Sequence, residues 1–85
     1  MTKTVAAEVR AFILENYLFT SETSALGDEE SLTDRGIIDS TGIMELIFFI
    51  EETFGVVVAD EEMLPENLDS VHRIAAFIQR KRAAA

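Results

Sequence analysis

The residues best suited to chemistry are Asp39 and Ser40, which stand where a polar loop meets an amphipathic helix. Apolar residues follow at the spacing of one helix face: Ile43, Leu46, Ile47, Ile50 and Phe54. Asp39 and Ser40 are both good caps for such a helix. A serine hydroxyl there lies beside free backbone N–H groups and the positive end of the helix dipole, so a phosphate on it would be well placed. The alternative for Ser40 is a plain helix cap, because serine is common at that position.

Other catalytic machinery is hard to find in the sequence. His72 is the one histidine and there is no cysteine, which excludes His-rich acid/base clusters, disulfides and Cys/His zinc sites. There is no glycine-rich phosphate loop. In a calcium loop starting at Asp34, the third and fifth positions would be Gly36 and Ile38, whose side chains cannot bind calcium. We therefore expect no catalytic residue and no metal site, and we expect that the protein is not an enzyme.

Around Ser40 the chain resembles the acyl carrier protein family, over about Leu32 to Ile78. Three segments carry the resemblance: Leu32-Thr33-Asp34-Arg35-Gly36-Ile37-Ile38-Asp39-Ser40, Glu45-Leu46 and Glu51-Glu52-Thr53-Phe54-Gly55. The resemblance implies a 4'-phosphopantetheine arm on Ser40, attached by a separate phosphopantetheinyl transferase, whose thiol holds an acyl group as a thioester. For Asp39 it implies capping of the helix and engagement of the transferase.

The function implied by this resemblance is that of a discrete acyl carrier protein. Such a carrier delivers its intermediates to partner enzymes in fatty-acid, polyketide or other specialised acyl biosynthesis. Two alternatives stay open: an aminoacyl or peptidyl carrier loaded by an adenylate-forming ligase, and an acidic helical adaptor without a prosthetic group. Thr41 in place of the family's usual leucine, Gly42 in the first helical turn and the broken segment 63–67 favour a specialised carrier over a housekeeping one.

The outer face of the same helix indicates where partner enzymes would bind. At roughly 100° per residue, a helix with Ile43 toward the core places four residues on the far side and one on a flank. We call these five the docking ridge: Thr41, Met44, Glu45, Phe48 and Glu52. An apolar residue framed by charge suits recognition of a partner, and in the resembled family enzymes hold this helix at the positions of Met44, Glu45, Phe48 and Glu52. A wider core that covers Phe48 is the alternative.

Helical periodicity and caps predict an all-α fold, a small four-helix bundle of three longer helices and one short helix. One carrier domain is expected over residues 1–85. The predicted helices are Lys3 to about Tyr17, Ser40 to Phe54 with a Gly55 cap, Glu61 to Leu64 ended by Pro65, and a last helix capped by Asp69 or Ser70. Two further segments are predicted to pack on the core without forming a helix: the linker 56–58, and the long loop through Leu32, Ile37 and Ile38.

The charge is strongly segregated along the chain. The net charge is −9, and residues 28–69 contain thirteen acidic residues and one base, Arg35. This composition argues against nucleic-acid binding, which needs Lys and Arg to neutralise phosphates. It favours partner enzymes with basic docking surfaces, or simply a solvated acidic surface. Because no signal peptide and no long apolar run is present, we expect a cytoplasmic monomer that does not bind membranes.

Overall fold

In a computed structural model, residues 4–20, 22 and 26–84 are described, apart from the side chains of Ser40 and Ala84. The predicted start of the first helix at Lys3 lies outside these residues. Four α-helices follow one another along the chain: α1 (Val5–Ile13), α2 (Ser40–Phe54), α3 (Pro65–Leu68) and α4 (Val71–Ala84). No strand is present within this part of the chain. The all-helical prediction is therefore confirmed.

The first helix begins with a Thr4 cap, whose hydroxyl accepts a hydrogen bond from the Ala7 amide. Beyond Ile13 the helix widens into a π-helical turn, Leu14–Leu18. It ends at Phe19, which adopts a left-handed backbone conformation with φ of 54°. The π-helical turn keeps the chain helical as far as Tyr17 and brings that side chain near the start of α2.

The second helix has the bounds predicted from the sequence, because both of its caps are local. The carboxylate of Asp39 accepts a hydrogen bond from the Gly42 amide at 2.8 Å. At the other end Gly55 is left-handed, with φ of 70°, and its N–H donates to the Glu51 carbonyl at 3.0 Å. A glycine adopts this conformation at no steric cost, whereas other residues are strained there.

The prediction of a short third helix over Glu61 to Leu64 is wrong. Asp60–Glu62 forms only a 3₁₀ turn, and the α-helical turn Pro65–Leu68 begins at the proline that we expected to end a helix. Proline suits the first helical position because its N–H would be unpaired there and its φ already fits a helix. Leu64 is extended, as expected for a residue that precedes proline.

The last helix is capped by Ser70, whose hydroxyl accepts a hydrogen bond from the Arg73 amide at 3.1 Å. One core joins the helices, and α1 packs along α4. Its most completely buried side chains are Val9, Ile13, Leu32, Leu46, Ile50, Val71, Ile74, Phe77 and Ile78. The apolar stripe predicted for α2 is buried at Leu46, Ile47 and Ile50, whereas Ile43 and Phe54 at its two ends are only partly buried.

Candidate functional site

The loop before α2 is anchored to the core at several points. Leu32 and Ile38 are buried, as expected, and Ile37 is partly buried against the core. Leu26, which was not among the predicted anchors, is also buried, at 2% exposure. The Leu32 amide donates to the Asp69 carbonyl at 2.8 Å, and the Ile37 amide donates to the Leu32 carbonyl at 2.9 Å. These contacts fix the path of the chain into Ser40.

The carboxylate of Asp69 reinforces this anchor. It accepts hydrogen bonds from the Ser31 hydroxyl at 2.5 Å, the Thr33 hydroxyl at 2.8 Å and the Thr33 amide at 3.0 Å. Burial by itself would raise the pKa of Asp69, but these hydrogen bonds and the charge of Arg73 outweigh burial and lower that pKa below its usual value. Asp69 is thus an ionised clamp between the loop and the entry to α4, not a cap for α4.

Ser40 is the first residue of α2, so its backbone lies at the positive end of the helix dipole. Its side chain lies outside the described part of the structure. The neighbouring residues fit a phosphodiester at this point. The amides of Ser40 and Thr41 have no acceptor within the helix because they lie in its first turn. The Asp39 carboxylate accepts from the Gly42 amide instead, and Thr41 is exposed. An anion at a helix N-terminus is stabilised by such amides.

The side chain that completes this first turn is Tyr17, which the sequence placed only near the end of the first helix. Its hydroxyl lies 3.0 Å from the Gly42 carbonyl oxygen and 3.2 Å from the Glu45 Oε2 atom, and it donates its one proton to these two acceptors. Burial of the phenol, the negative charge and hydrogen bond of Glu45, and the charge of Asp39 raise the pKa of Tyr17 to about 12. The phenol therefore stays protonated at neutral pH.

The Tyr17 ring also explains the glycine in the first turn. A Cβ atom on Gly42 would lie 3.3 Å from Cε1 of Tyr17 and 3.4 Å from Oδ1 of Asp39. The contact with the Tyr17 ring is tighter than an ordinary van der Waals contact, whereas the contact with Asp39 is ordinary. Gly42 costs the helix up to about 1 kcal/mol relative to alanine, but it lets the Tyr17 ring approach the backbone without a shift.

The docking ridge is exposed along its whole length. Phe48 is 62% exposed and Met44 is 46% exposed, which contradicts the alternative of a wider core over Phe48. The remaining three residues, Thr41, Glu45 and Glu52, are also exposed. The neighbouring Phe49 points inward instead and stacks on Phe12 with ring centroids 4.1 Å apart. The structure thus brings the five ridge residues onto one open face, and their contact with partners stays a prediction.

An open groove lies on the other side of α2, beside its first turn. Its volume is about 140 Å³, and its walls include Ile43, Met63, Leu64 and Leu68. Asp69 adds a carboxylate to this mainly apolar lining. Pockets that enclose a ligand are usually larger, about 300–1,000 Å³. The groove can therefore hold a small group against the surface, but it is too small for a long chain to be enclosed.

Part of the acidic surface is neutralised by bases brought in from elsewhere in the chain. Arg10 pairs with Asp28, Arg35 with Glu30 at 2.8 Å, and Lys81 with Glu62 at 2.8 Å. None of these three pairs involves the docking ridge. Among the described residues no group of acidic or histidine side chains is arranged to hold a metal ion.

No described helix is long and apolar enough to cross a membrane. No family model matches the chain. It is similar to the D-alanyl carrier protein of Abiotrophia defectiva, with 35% identity over 54 residues, which cover 64% of this chain and 68% of that protein. It is also similar to the D-alanyl carrier proteins of Streptococcus pyogenes serotypes M5 (strain Manfredo) and M1. In both cases the identity is 33% over 67 residues, which cover 79% of this chain and 84% of the relative.

Proposed function

This chain belongs to the carrier protein family, and we propose that it is a discrete aminoacyl carrier whose cargo is a D-alanyl group bound through a phosphopantetheine arm on Ser40. Proteins of this family carry groups between enzymes and are not catalysts, so the chain is not an enzyme. The observation that carries the proposal is the similarity to D-alanyl carrier proteins over most of the chain. The relatives' names give no support to the expected fatty-acid or polyketide pathways.

The geometry of α2 supports Ser40 as the attachment residue. The loop is held by Asp69 and by the buried Leu32 and Ile38, so the chain enters the helix on a fixed path. Asp39 caps the helix without occupying the first two amides. Ser40 then presents its backbone at the end of the helix that favours a phosphate.

The arm, once attached, supplies a terminal thiol that can hold the cargo as a thioester. The surface near the attachment residue suits a small cargo better than a long alkyl chain. The groove beside α2 is open and about 140 Å³ in volume. The carboxylate of Asp69 in its wall is ionised at neutral pH and complements the ammonium group of an aminoacyl cargo.

The exposed docking ridge supports partners with basic contact surfaces. A loading ligase of the adenylate-forming class, the phosphopantetheinyl transferase and the enzyme that accepts the cargo must each reach the arm near Ser40. Phe48 offers an apolar contact, and Glu45 and Glu52 frame it with negative charge. Charge of this kind raises association rates, and a buried aromatic contact contributes most of the affinity.

Intact mass spectrometry tests the attachment. The protein is incubated with coenzyme A, magnesium and a broad-specificity phosphopantetheinyl transferase. We expect wild type and Thr53→Ala to gain one arm and Ser40→Ala to gain none. Thr53→Ala is the matched control because it removes an exposed hydroxyl of the same helix, outside the docking ridge, and leaves Ser40 in place. A wild-type protein without an adduct, or an equal adduct on Ser40→Ala, contradicts the proposed site.

A second measurement tests the cargo. The loaded carrier is purified from its own host, and the thioester is cleaved with hydroxylamine, which takes up the acyl group as a hydroxamate and frees the thiol of the arm. The hydroxamate is separated on a chiral column. We expect the hydroxamate of D-alanine. Release of a fatty acyl or polyketide group would contradict the aminoacyl proposal and favour the acyl carrier alternative. A population that is unmodified throughout would favour the acidic adaptor.

A further inference from the structure

We propose that Tyr17 is a positioning residue for the modification of Ser40: its hydroxyl and ring hold the first turn of α2 in the conformation that presents the serine to the transferase. This inference rests on the proposed attachment at Ser40. It assigns a role in that reaction to a side chain of the first helical segment, 23 positions earlier in the chain. Tyr17 touches neither arm nor cargo in this proposal and acts through the backbone of Gly42.

The hydrogen bonds at Gly42 hold the turn from two sides. Its amide donates to the Asp39 carboxylate at 2.8 Å, and its carbonyl accepts from the Tyr17 hydroxyl, with the oxygens 3.0 Å apart. Gly42 is buried and lies two residues after Ser40. The first turn of a helix normally frays because it lacks part of the hydrogen-bond ladder. Here an outside donor fixes it to another element.

The Tyr17 ring is itself held in place, which a positioning residue requires. It packs edge-on against Phe12, with centroids 5.9 Å apart and the ring planes at 71°. Phe12 stacks on Phe49, and Phe49 packs edge-on against Phe54 with centroids 5.8 Å apart. Aromatic pairs in these arrangements are favourable beyond their burial. This row of rings ties the π-helical turn to α2, so the hydroxyl has a fixed place relative to the first turn.

Glu45 connects this arrangement to the docking ridge. Its carboxylate is the second acceptor of the Tyr17 proton, at 3.2 Å, and it is also an exposed ridge residue. A basic side chain of a partner that pairs with Glu45 would withdraw this acceptor. The Tyr17 proton would then be directed to the Gly42 carbonyl alone. Docking would thus strengthen the hold on the turn that carries Ser40.

The experiment compares wild type, Tyr17→Phe and Ile78→Val. Tyr17→Phe removes the hydroxyl and keeps the ring. Ile78→Val is the matched control, since it trims a fully buried side chain of α4 away from the site. Two experiments are carried out on each protein. The first measures kcat and the KM for the carrier in arm attachment by a phosphopantetheinyl transferase with coenzyme A. The second measures amide hydrogen exchange of the unmodified protein in the first turn of α2 and in α4.

For Tyr17→Phe we expect kcat to fall by about two- to tenfold, the range that follows from losing one hydrogen bond, with KM nearly unchanged. Exchange of the amides of residues 42–46 should accelerate relative to exchange in α4. Ile78→Val should accelerate exchange in both regions together and leave kcat unchanged. The wild type should also show the absorbance change of tyrosine ionisation near pH 12 and not near 10.0, and the signal is specific because Tyr17 is the only tyrosine and there is no tryptophan.

The outcomes separate the two proposals. If the wild type takes up no arm, the proposed function fails, and Tyr17 has no modification to position. If the wild type is modified and Tyr17→Phe matches it in kcat, the role of Tyr17 is refuted, whatever the exchange data show. A lower kcat with unchanged exchange would also refute it, because the hydroxyl would then act on the transferase directly and not by holding the turn.

Discussion

Replacing Asp69 by asparagine should destabilise the protein at neutral pH and leave it almost unaffected in acid. The carboxylate accepts three hydrogen bonds from Ser31 and Thr33 and fixes the loop that leads to Ser40. Asparagine has nearly the same shape, but it removes the charge and replaces one acceptor oxygen by an NH₂ group. The change therefore tests the ionised clamp without opening a cavity.

The size of the effect follows from the number and exposure of these bonds. A hydrogen bond to a charged group contributes about 1.5–3 kcal/mol when it is shielded from water. Asp69 is only partly buried, and asparagine keeps one acceptor, so we expect a loss of about 1–2 kcal/mol. A domain of this length has a free energy of unfolding of about 4–13 kcal/mol. The substitution should thus lower the midpoint of urea unfolding clearly and leave the slope unchanged.

The pH dependence supplies the sharper test. Because the pKa of folded Asp69 lies below its ordinary value of 3.8, its ionisation stabilises the native state above that value. This contribution disappears as the pH falls through the folded pKa. The difference between wild type and Asp69→Asn should therefore shrink toward zero below the ordinary value. Glu61→Gln, which removes an exposed charge on the 3₁₀ turn, is the control and should shift stability by no more than about 0.5 kcal/mol. A difference that is constant across this pH range would refute the ionised clamp.

Two further predictions concern the aromatic residues of the site. Phe49→Ala should lower the free energy of unfolding by about 2–3 kcal/mol because it breaks the stack on Phe12. Phe48→Ala on the exposed ridge should change the free energy of unfolding by less than about 0.5 kcal/mol and instead weaken binding to a partner. Urea unfolding measures the stability and titration calorimetry with the transferase measures the binding; equal stability losses would contradict the exposed position of Phe48 on the ridge. Because the pKa of Tyr17 is raised, its protonated hydroxyl stabilises the fold fully below pH 10.0 and loses this effect as the pH rises toward about 12. Over that pH range, wild type should lose more stability in urea unfolding than Tyr17→Phe does. Parallel stability curves for the two proteins would contradict this prediction.

Local signals predicted α2 to the residue, whereas the short helix was misplaced. An Asp39 cap and a Gly55 cap each act within a few residues, so their meaning can be read along the chain. The signal of Pro65 is ambiguous, because proline both ends helices and starts them. Which role it takes depends on the extended conformation of Leu64 and on packing against α4, and neither is visible in a local pattern.

The candidate site also has features that local patterns predict and features that depend on contacts between distant residues. The motif at Ser40 and the exposure of the docking ridge follow from short-range patterns, a cap and a helical period of 3.6 residues. The contacts that hold the motif in place were not predicted from the sequence. Tyr17 meets Gly42 across 25 positions and Asp69 meets Ser31 across 38, and no single sequence encodes such pairings in its spacing. Gly42 was a clue, since a costly glycine in a helix indicates a close approach.

The distribution of charge in the folded protein favours partner binding at α2. In the sequence the bases are concentrated at the two ends and appear separate from the acidic middle. In the structure Arg10 and Lys81 reach back to Asp28 and Glu62 and neutralise acids away from the ridge. The acidic patches away from α2 are therefore weaker, and compete less with α2 for a basic partner, than the sequence implies. A basic partner is directed toward the helix that begins at Ser40, because electrostatic steering favours the region where uncompensated charge is concentrated.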